Sequence, residues 1–382
     1  MNTLIYLNNA ATSYPKPDVV KKAFIDALDD LPPGQFRSTA SGDGADIFSA
    51  CRQRLGALMG IAQTDRIFFT SGSTEGLNSI FYGLGICADE MITTVTEHNS
   101  VLRPLCNLKG IKGRPVFLPC DKNGSVDPEL FEAEAKKGRA KAIVLNHCSN
   151  VTGAIQDAGS VGEIAKRYGL IYILDVSQSA GCLEIKADEW NVDALAFTGH
   201  KSLMGLQGTG GYYVRKGLPF FPMKFGGTGL DSRRIVYEDG EYEYETGTLN
   251  STGIAALSAA LGWIEELSIE TIARKERELS DQLINGLSDI RSIRIFGREL
   301  KDRGPVISFD MEGLLPSDLA YILQNSFEIV TRAGLHCAPL IHEHIGSGER
   351  GTLRVSFSYL NTASEIEELL SALKETEASV RG

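Results

Sequence analysis

Ile171-Tyr-Ile-Leu-Asp175-Val-Ser-Gln178 and, further along, Asp193-Ala-Leu-Ala-Phe-Thr198-Gly-His-Lys201 decide the fold. Each is a short apolar run that ends on polar residues. Without polar alternation, a run of this length suits a strand buried on both faces of a sheet. Similar runs share the region: Arg66-Ile-Phe-Phe-Thr70, Met91-Ile-Thr-Thr-Val-Thr96, Lys141-Ala-Ile-Val-Leu-Asn146 and Gly211-Tyr-Tyr-Val214. Helical spacing fills several of the gaps, as in Val161-Gly-Glu-Ile-Ala-Lys-Arg-Tyr168. The alternation predicts a large α/β domain around a mostly parallel sheet. Downstream the plan changes. Gly253–Leu287 reads as two long helices, followed by Pro305-Val-Ile-Ser-Phe309, a helix near Pro316–Asn325, Leu353-Arg-Val-Ser-Phe357 and a last helix from Ala363. That order predicts a small α+β domain beginning near residue 254.

The chain has 382 residues with 38 Lys+Arg against 49 Asp+Glu, a formal charge of −11. That length is enough for two domains and a sizeable core. The acidic balance argues against nucleic acid as a partner, since phosphate binding needs surplus Lys and Arg. No apolar run approaches a membrane span, and the opening residues show no basic segment followed by an apolar one. Seven cysteines, at 51, 87, 106, 120, 148, 182 and 337, form no CxxC pair. This is neither a disulfide framework nor a zinc ribbon, and no metal site is expected. A cytoplasmic enzyme is the expectation.

Three segments carry chemistry. Thr70-Ser-Gly-Ser-Thr-Glu-Gly76 lies between a strand and a helix, where small residues let backbone N–H groups approach an anion. An ordinary helix start explains it as well. Asp175 ends a buried strand, the place where open α/β sheets bind ligands, and a buried carboxylate needs a partner. Lys201 follows the next strand. A surface lysine is the plain reading, but a Schiff-base lysine occupies such a position too. Together, Asp175 and Lys201 supply an anion for a pyridinium nitrogen and an amine for an aldehyde, as pyridoxal 5'-phosphate requires. Gly346-Ser-Gly-Glu-Arg-Gly351 leads into a strand and reads as a loop, not a dinucleotide motif.

At this point the sequence resembles the class V, fold type I pyridoxal-phosphate enzymes, and within them the cysteine desulfurase and selenocysteine lyase branch. The resemblance rests on Asp175-x-x-Gln178 with Thr198-Gly-His-Lys201, on Tyr6-Leu-Asn-Asn-Ala-Ala-Thr12 and on Thr96-Glu-His98. His147-Cys-Ser-Asn150-Val-Thr-Gly153, Tyr244-Glu-Thr-Gly-Thr248, Arg332-Ala-Gly-Leu-His-Cys337 and Leu353-Arg354-Val-Ser extend it over nearly the whole chain. It implies a large cofactor-binding domain with a seven-stranded-type sheet over 14–253. Residues 1–13 and 254–382 would make the small domain with the cysteine loop.

The same resemblance implies roles. Lys201 attaches the cofactor and shuttles protons; Asp175 pairs with the ring nitrogen; Gln178 and Asn150 lie near the phenolic oxygen; His98 stacks on the ring. Ser73, Thr74, Thr198 and His200 would hold the phosphate, with Thr248 from the partner of a homodimer. Asn9, Ala10, Asn150, Arg332 and Arg354 would bind the substrate, Arg354 gripping its carboxylate. Lys201, Cys337 and His98 would be catalytic. Cys337 would take sulfur from L-cysteine, leaving L-alanine and a persulfide for an acceptor protein. The other six cysteines fall in apolar or helical settings and read as inert. Selenocysteine cleavage, cysteine sulfinate cleavage or amino transfer would use the same scaffold. A non-enzymatic cofactor binder would need neither Arg354 nor Cys337. A zinc site from His336, Cys337, His342 and His344 explains Cys337 less well. The acidic run Glu238–Glu245, after Gly226–Ser232, is expected near the site entrance. The short segment between Arg332 and Cys337 implies a short reach for the sulfur.

Overall fold

The apolar runs pair into one seven-stranded sheet in the computed structural model, which describes residues 4–30, 47–107, 113–227, 233–238 and 242–381. Its spatial order is Ile67–Thr70, Gly210–Val214, Ala194–Thr198, Ile171–Asp175, Ala142–Asn146, Met91–Thr94 and Val116–Leu118. Five neighbouring strands run parallel, from Ala194–Thr198 to the Val116–Leu118 edge. Gly210–Val214 is antiparallel to both its neighbours. The chain is thus an α/β protein of fold type I, with a mainly parallel central sheet and a second, antiparallel one.

Period-two geometry sorts each run onto two faces. Ile143, Leu145, Tyr172, Leu174, Leu195 and Phe197 pack into one core, while Ala142, Val144, Ile173, Ala194 and Ala196 pack into another on the opposite face. Both faces are dry, which is why no polar alternation shows in the sequence.

The second sheet orders Arg332–Gly334, Thr352–Ser356, Val306–Met311 and Ile293–Phe296, all antiparallel. Its core takes Ile307, Phe309, Leu353 and Val355 together with Leu279, Leu283 and Leu287, a four-residue spacing along the helix Ile269–Ser288. Ile366, Leu369 and Leu373 complete it from the last helix, Ala363–Arg381. The short strand Ile5–Tyr6 pairs with Ile329–Val330, just before the edge strand Arg332–Gly334 of this second sheet.

The expected domain boundary at 254 does not match the packing. The helix Ser251–Leu267 puts Ile254, Leu257, Leu261 and Ile264 into the core of the large sheet, and Ile272 of the helix Ile269–Ser288 joins them, so the cores divide within that second helix, between Ile272 and Leu279. The first helix's Ala- and Leu-rich sequence made it look like part of the next unit, although its apolar face has the large sheet as its partner. Among the described residues, no helix is long and apolar enough to cross a membrane.

The helix Ala158–Tyr168 shows how tightly this sheet is covered. Asp157 caps it by accepting the Ser160 N–H at 2.9 Å, and Gly169 ends it in the left-handed conformation. A methyl group at Gly162 would lie 1.8 Å from the Trp190 carbonyl oxygen, whereas one at Gly159 would touch the Trp190 ring at 3.4 Å. Gly162→Ala should therefore cost about 1–3 kcal/mol by overpacking. Gly159→Ala should change stability by less than about 1 kcal/mol, in the stabilising direction. Urea midpoints of the two variants check this; equal midpoints would contradict the close approach.

Candidate active site

Adjacent strands deliver their last residues to one place. Asn146 is registered against Asp175, and Asp175 against Ala196, so the carboxyl ends of three strands line up. A cavity of about 330 Å³ opens there, lined by Asp175, Gln178, Thr198, His200, Lys201 and Arg354 among others. Ser73, Thr74, His98, Asn150, Arg332 and Ala10 also reach its wall.

The floor is electrostatic. Asp175 is buried, and its Oδ1 accepts the Ser177 N–H at 2.9 Å and the Ser177 hydroxyl at 2.5 Å. Burial raises the Asp175 carboxyl, and Ser177 and the Lys201 charge oppose that rise. Burial brings the Lys201 ammonium down to about 8, with Asp175 opposing and Arg354 and Arg332 adding to the drop. An amine so tuned is unprotonated for part of its time near neutral pH. The chain start holds its loop: Ser13 Oγ donates to the Lys201 carbonyl at 2.8 Å, and Ser13 N–H to the His200 carbonyl at 2.9 Å.

One end of the cavity suits an anion. The helix Ser73–Leu84 starts at Gly72 without a side-chain cap, leaving its first N–H groups open to the cavity wall. Thr198 and His200 flank them, and His200 Nδ1 is buried without a partner.

The other end carries two guanidinium groups. Arg332 and Arg354 are direct cross-strand partners, and Arg354 is fully buried. Arg354 donates to the Asn150 carbonyl at 3.0 Å and to Asn8 Oδ1 at 3.2 Å, while its Nε has no partner. Burial, with the Arg332 charge behind it, brings Arg354 down to about 9. Like charges directly opposite on a sheet repel, so the pair favours an anion between them.

His98 lines the cavity from the side. Its Nδ1 accepts the Ser100 N–H at 3.0 Å, which puts the ring proton on Nε2. Burial and the Lys201 charge bring it down to about 3, so the ring stays neutral. Behind it Glu97 is fully buried, accepting from Thr94 Oγ1 at 2.8 Å and the Asn146 N–H at 3.0 Å. Burial raises Glu97 to about 8.

Cys337 is not on this lining but touches Arg332, which is. Arg332 donates to its Sγ at 3.3 Å, and its carbonyl accepts the Asn99 N–H at 2.6 Å. His336 and Cys337 both have positive φ, 50° and 60°. Asn150 Nδ2 donates to the His336 carbonyl at 2.6 Å, and His336 Nε2 faces the Thr352 hydroxyl at 2.9 Å.

Three expected site residues are not on this lining: Asn9, Cys337, which adjoins it through Arg332, and Thr248, which was expected to serve the partner's site. Asn9 is behind the wall: its amide donates to Ser356 O and Asn361 Oδ1, and its Oδ1 accepts the Tyr14 N–H, leaving nothing for a substrate. Thr248 is exposed and outside this cavity. Of the acidic run, 239–241 fall outside the described residues, as do 228–232 before it. Glu245 pairs with Arg52 and accepts the Phe69 N–H, so it clamps the edge of the large sheet instead of guarding an entrance. The other six cysteines are not all hidden: Cys106 is exposed, and buried Cys148 lines the cavity. Asn146, Ser177 and Ser100 reach the cavity wall without having been singled out in the sequence. A polar residue closing a buried strand was the available signal for Asn146.

With this geometry in hand, similarity to known proteins is informative. The profile of the class-V aminotransferases matches residues 5–369. The chain belongs to that family. A protein named probable cysteine desulfurase from Pyrococcus abyssi is 34% identical over 331 residues, covering 84% of this chain and 81% of that protein. The apo structure of a cysteine desulfurase from Thermococcus onnurineus NA1 superposes with a TM-score of 0.88 at 31% identity, covering 98% of this chain and 95% of the other. The cysteine desulfurase CsdA of Escherichia coli gives 0.85 at 27% identity, covering 97% and 94%.

Two predictions follow from the site's electrostatics. Arg332→Met removes one of two opposed cations, so the ligand-free protein should gain about 0.2–1 kcal/mol in urea unfolding; a loss would contradict the repulsion. The second concerns pH. Folding lowers the proton affinity of His98 from the ordinary 6.5 to about 3. Below pH 6.5 the unfolded chain therefore takes up a proton that the folded chain refuses, and stability falls as pH falls. His98→Asn should flatten the slope of unfolding free energy between about pH 6 and 5 by up to one proton, about 1.4 kcal/mol per pH unit. An unchanged slope would show that His98 is not held neutral.

Proposed function

We propose that this chain is a pyridoxal-phosphate-dependent cysteine desulfurase, converting L-cysteine to L-alanine with a persulfide on Cys337. The observation that carries the proposal is the single cavity joining Lys201, Asp175 and the Arg332–Arg354 pair, with Cys337 just outside its lining and hydrogen-bonded to Arg332. The residues fit the cofactor. The uncapped Ser73–Leu84 N-terminus with Thr198 and His200 suits a phosphate. Asp175 suits a protonated pyridine nitrogen, and the lowered Lys201 amine suits an aldehyde.

When bound, pyridoxal 5'-phosphate supplies a conjugated ring that stabilises the charge left after an amino acid loses its α-proton. The protein supplies the rest. Lys201 Nζ holds the cofactor and then takes and returns the proton at the substrate α-carbon. Asp175 would hold a proton on the ring nitrogen. Gln178 and Asn150 would lie near the phenolic oxygen, and His98, neutral by burial, would offer a flat face and an Nε2 proton. Arg354 and Arg332 take the substrate carboxylate through charge-assisted hydrogen bonds. Cys337 Sγ, as thiolate, bonds to the substrate sulfur; the carbon–sulfur bond breaks and the β-carbon takes up a proton. One S–S bond forms on Cys337 and alanine leaves.

Thr248, exposed and outside its own cavity, fits a role in a partner's phosphate site, so the working unit is a homodimer. The acceptor of the persulfide sulfur is a second partner. A reducing compartment, the cytoplasm, suits seven unpaired thiols.

Cys337→Ser tests the reading. Alanine release from L-cysteine should fall roughly a hundredfold or more, as when a nucleophile is removed, and persulfide labelling should vanish. The visible spectrum of the bound cofactor should be retained. Parallel assays with selenocysteine and cysteine sulfinate rank the substrates. Undiminished cysteine turnover in the serine variant would overturn the proposal.

A further inference from the structure

Cys337 borders a second cavity. A well of about 360 Å³ lies beyond His98 and shares Thr74, His98 and Ser100 with the substrate cavity, so the two adjoin at that wall. Cys337 lines the well and is absent from the lining of the first cavity. The helix Asn99–Asn107 forms one side, with Asn99, Arg103 and Asn107 all on the lining. Their four-residue spacing puts them on one helix face. The Asn99 N–H to Cys337 carbonyl hydrogen bond, at 2.6 Å, pins the cysteine loop to the start of that helix.

The well has a distinctive charge. Among the described residues no acidic side chain lines it, and Arg103 is exposed there, on a chain whose formal charge is −11. Among the described residues Arg103 makes no ion pair. Arg332 and Arg354 belong to the first cavity, where the substrate carboxylate would occupy them. Arg103 therefore has no task in holding the substrate.

We propose that this well is the sulfur-acceptor site and that it favours small thiols carrying a second, negatively charged group, with Arg103 as the specificity residue. The proposal rests on a persulfide forming on Cys337. Its volume falls in the range of small-molecule sites. The acceptor thiolate attacks the outer sulfur of Cys337–S–SH. A new S–S bond forms to the acceptor as the Cys337 S–S bond breaks. Cys337 leaves as thiolate and the acceptor leaves as a persulfide, so charge and atoms balance without another reactant. An arginine at the rim steers an anionic acceptor in and offers its second group a two-pronged contact.

The test compares two thiols of similar size and acidity, 2-mercaptoethanesulfonate and neutral 2-mercaptoethanol, as acceptors for the cofactor-loaded enzyme. The readout is the ratio of their kcat/KM values for alanine formation, corrected for thiolate fraction. In the wild type the ratio should favour the sulfonate by about two- to fivefold, the range of one exposed ion pair. It should decline as salt screens the pair. Arg103→Lys should keep the preference, Arg103→Gln should bring the ratio near one, and Arg103→Glu should reverse it. Alanine released in the first turnover, before any thiol is added, reports persulfide formation separately, so its absence would count against the desulfurase reading itself. A wild-type ratio of one, or the same ratio in all four proteins, with first-turnover alanine present, would overturn the acceptor site.

Discussion

Lys201, Arg332 and Arg354 bring three cationic groups to one cavity whose lining carries two carboxylates, buried Asp175 and Glu75, and Glu75 is already paired with Lys224. Everything else in the site answers that imbalance. Burying charge without compensation is expensive, and here the compensation is incomplete: Lys201 is brought down to about 8 and Arg354 to about 9. The cavity is thus built to receive negative charge at both ends. A phosphate near the open N–H groups after Gly72 and a carboxylate near the arginine pair would each relieve part of the strain. The cationic excess that helps lower Lys201 also favours anions in the cavity.

Such a cavity persists only if its walls cannot relax away. Two cores packed on the faces of the large sheet fix Asp175 and the strand leading to Lys201. The antiparallel sheet fixes Arg332 and Arg354. Three polar ties join these halves across the site: Arg354 to the Asn150 carbonyl, Asn150 Nδ2 to the His336 carbonyl, and Asn99 N–H to the Cys337 carbonyl. Ser13, carried by the segment that leaves the Ile5–Tyr6 strand, closes the fourth side on Lys201. Each half supplies groups that the other would otherwise leave unpaired.

Much of this was legible in the sequence where physics is local. Runs such as Ile171–Asp175 announce a buried strand by composition alone, and Asp175 and Lys201 stand out because charge at such strand ends needs a purpose. The edge strand Val116–Leu118 and the two-residue strand Ile5–Tyr6 were invisible, since three and two residues carry no period. Asn9 misled because an asparagine beside a site looks the same whether its amide faces substrate or, as here, ties Ser356 to Asn361. The helix Ser251–Leu267 was assigned to the wrong core because periodicity reveals an apolar face but not the surface it meets. Glu97 matters through a hydrogen bond from the Asn146 N–H, brought near by folding, and Glu245 through a pairing with distant Arg52.

The loop around Cys337 joins these themes. Two consecutive residues with side chains, His336 and Cys337, hold positive φ, a conformation that costs about 1–3 kcal/mol each and survives only under firm constraint. The constraints sit on both sides of the sulfur: His336 to Thr352 and Asn150 before it, the Asn99 contact at the cysteine itself. The loop is therefore fixed in advance, not left to search. A fixed cysteine must be reached from the substrate side and from the acceptor side without a long swing. The two cavities share the wall of Thr74, His98 and Ser100, and Cys337 lines one of them while Arg332, hydrogen-bonded to its sulfur, lines the other, so the fixed loop stands between the two spaces.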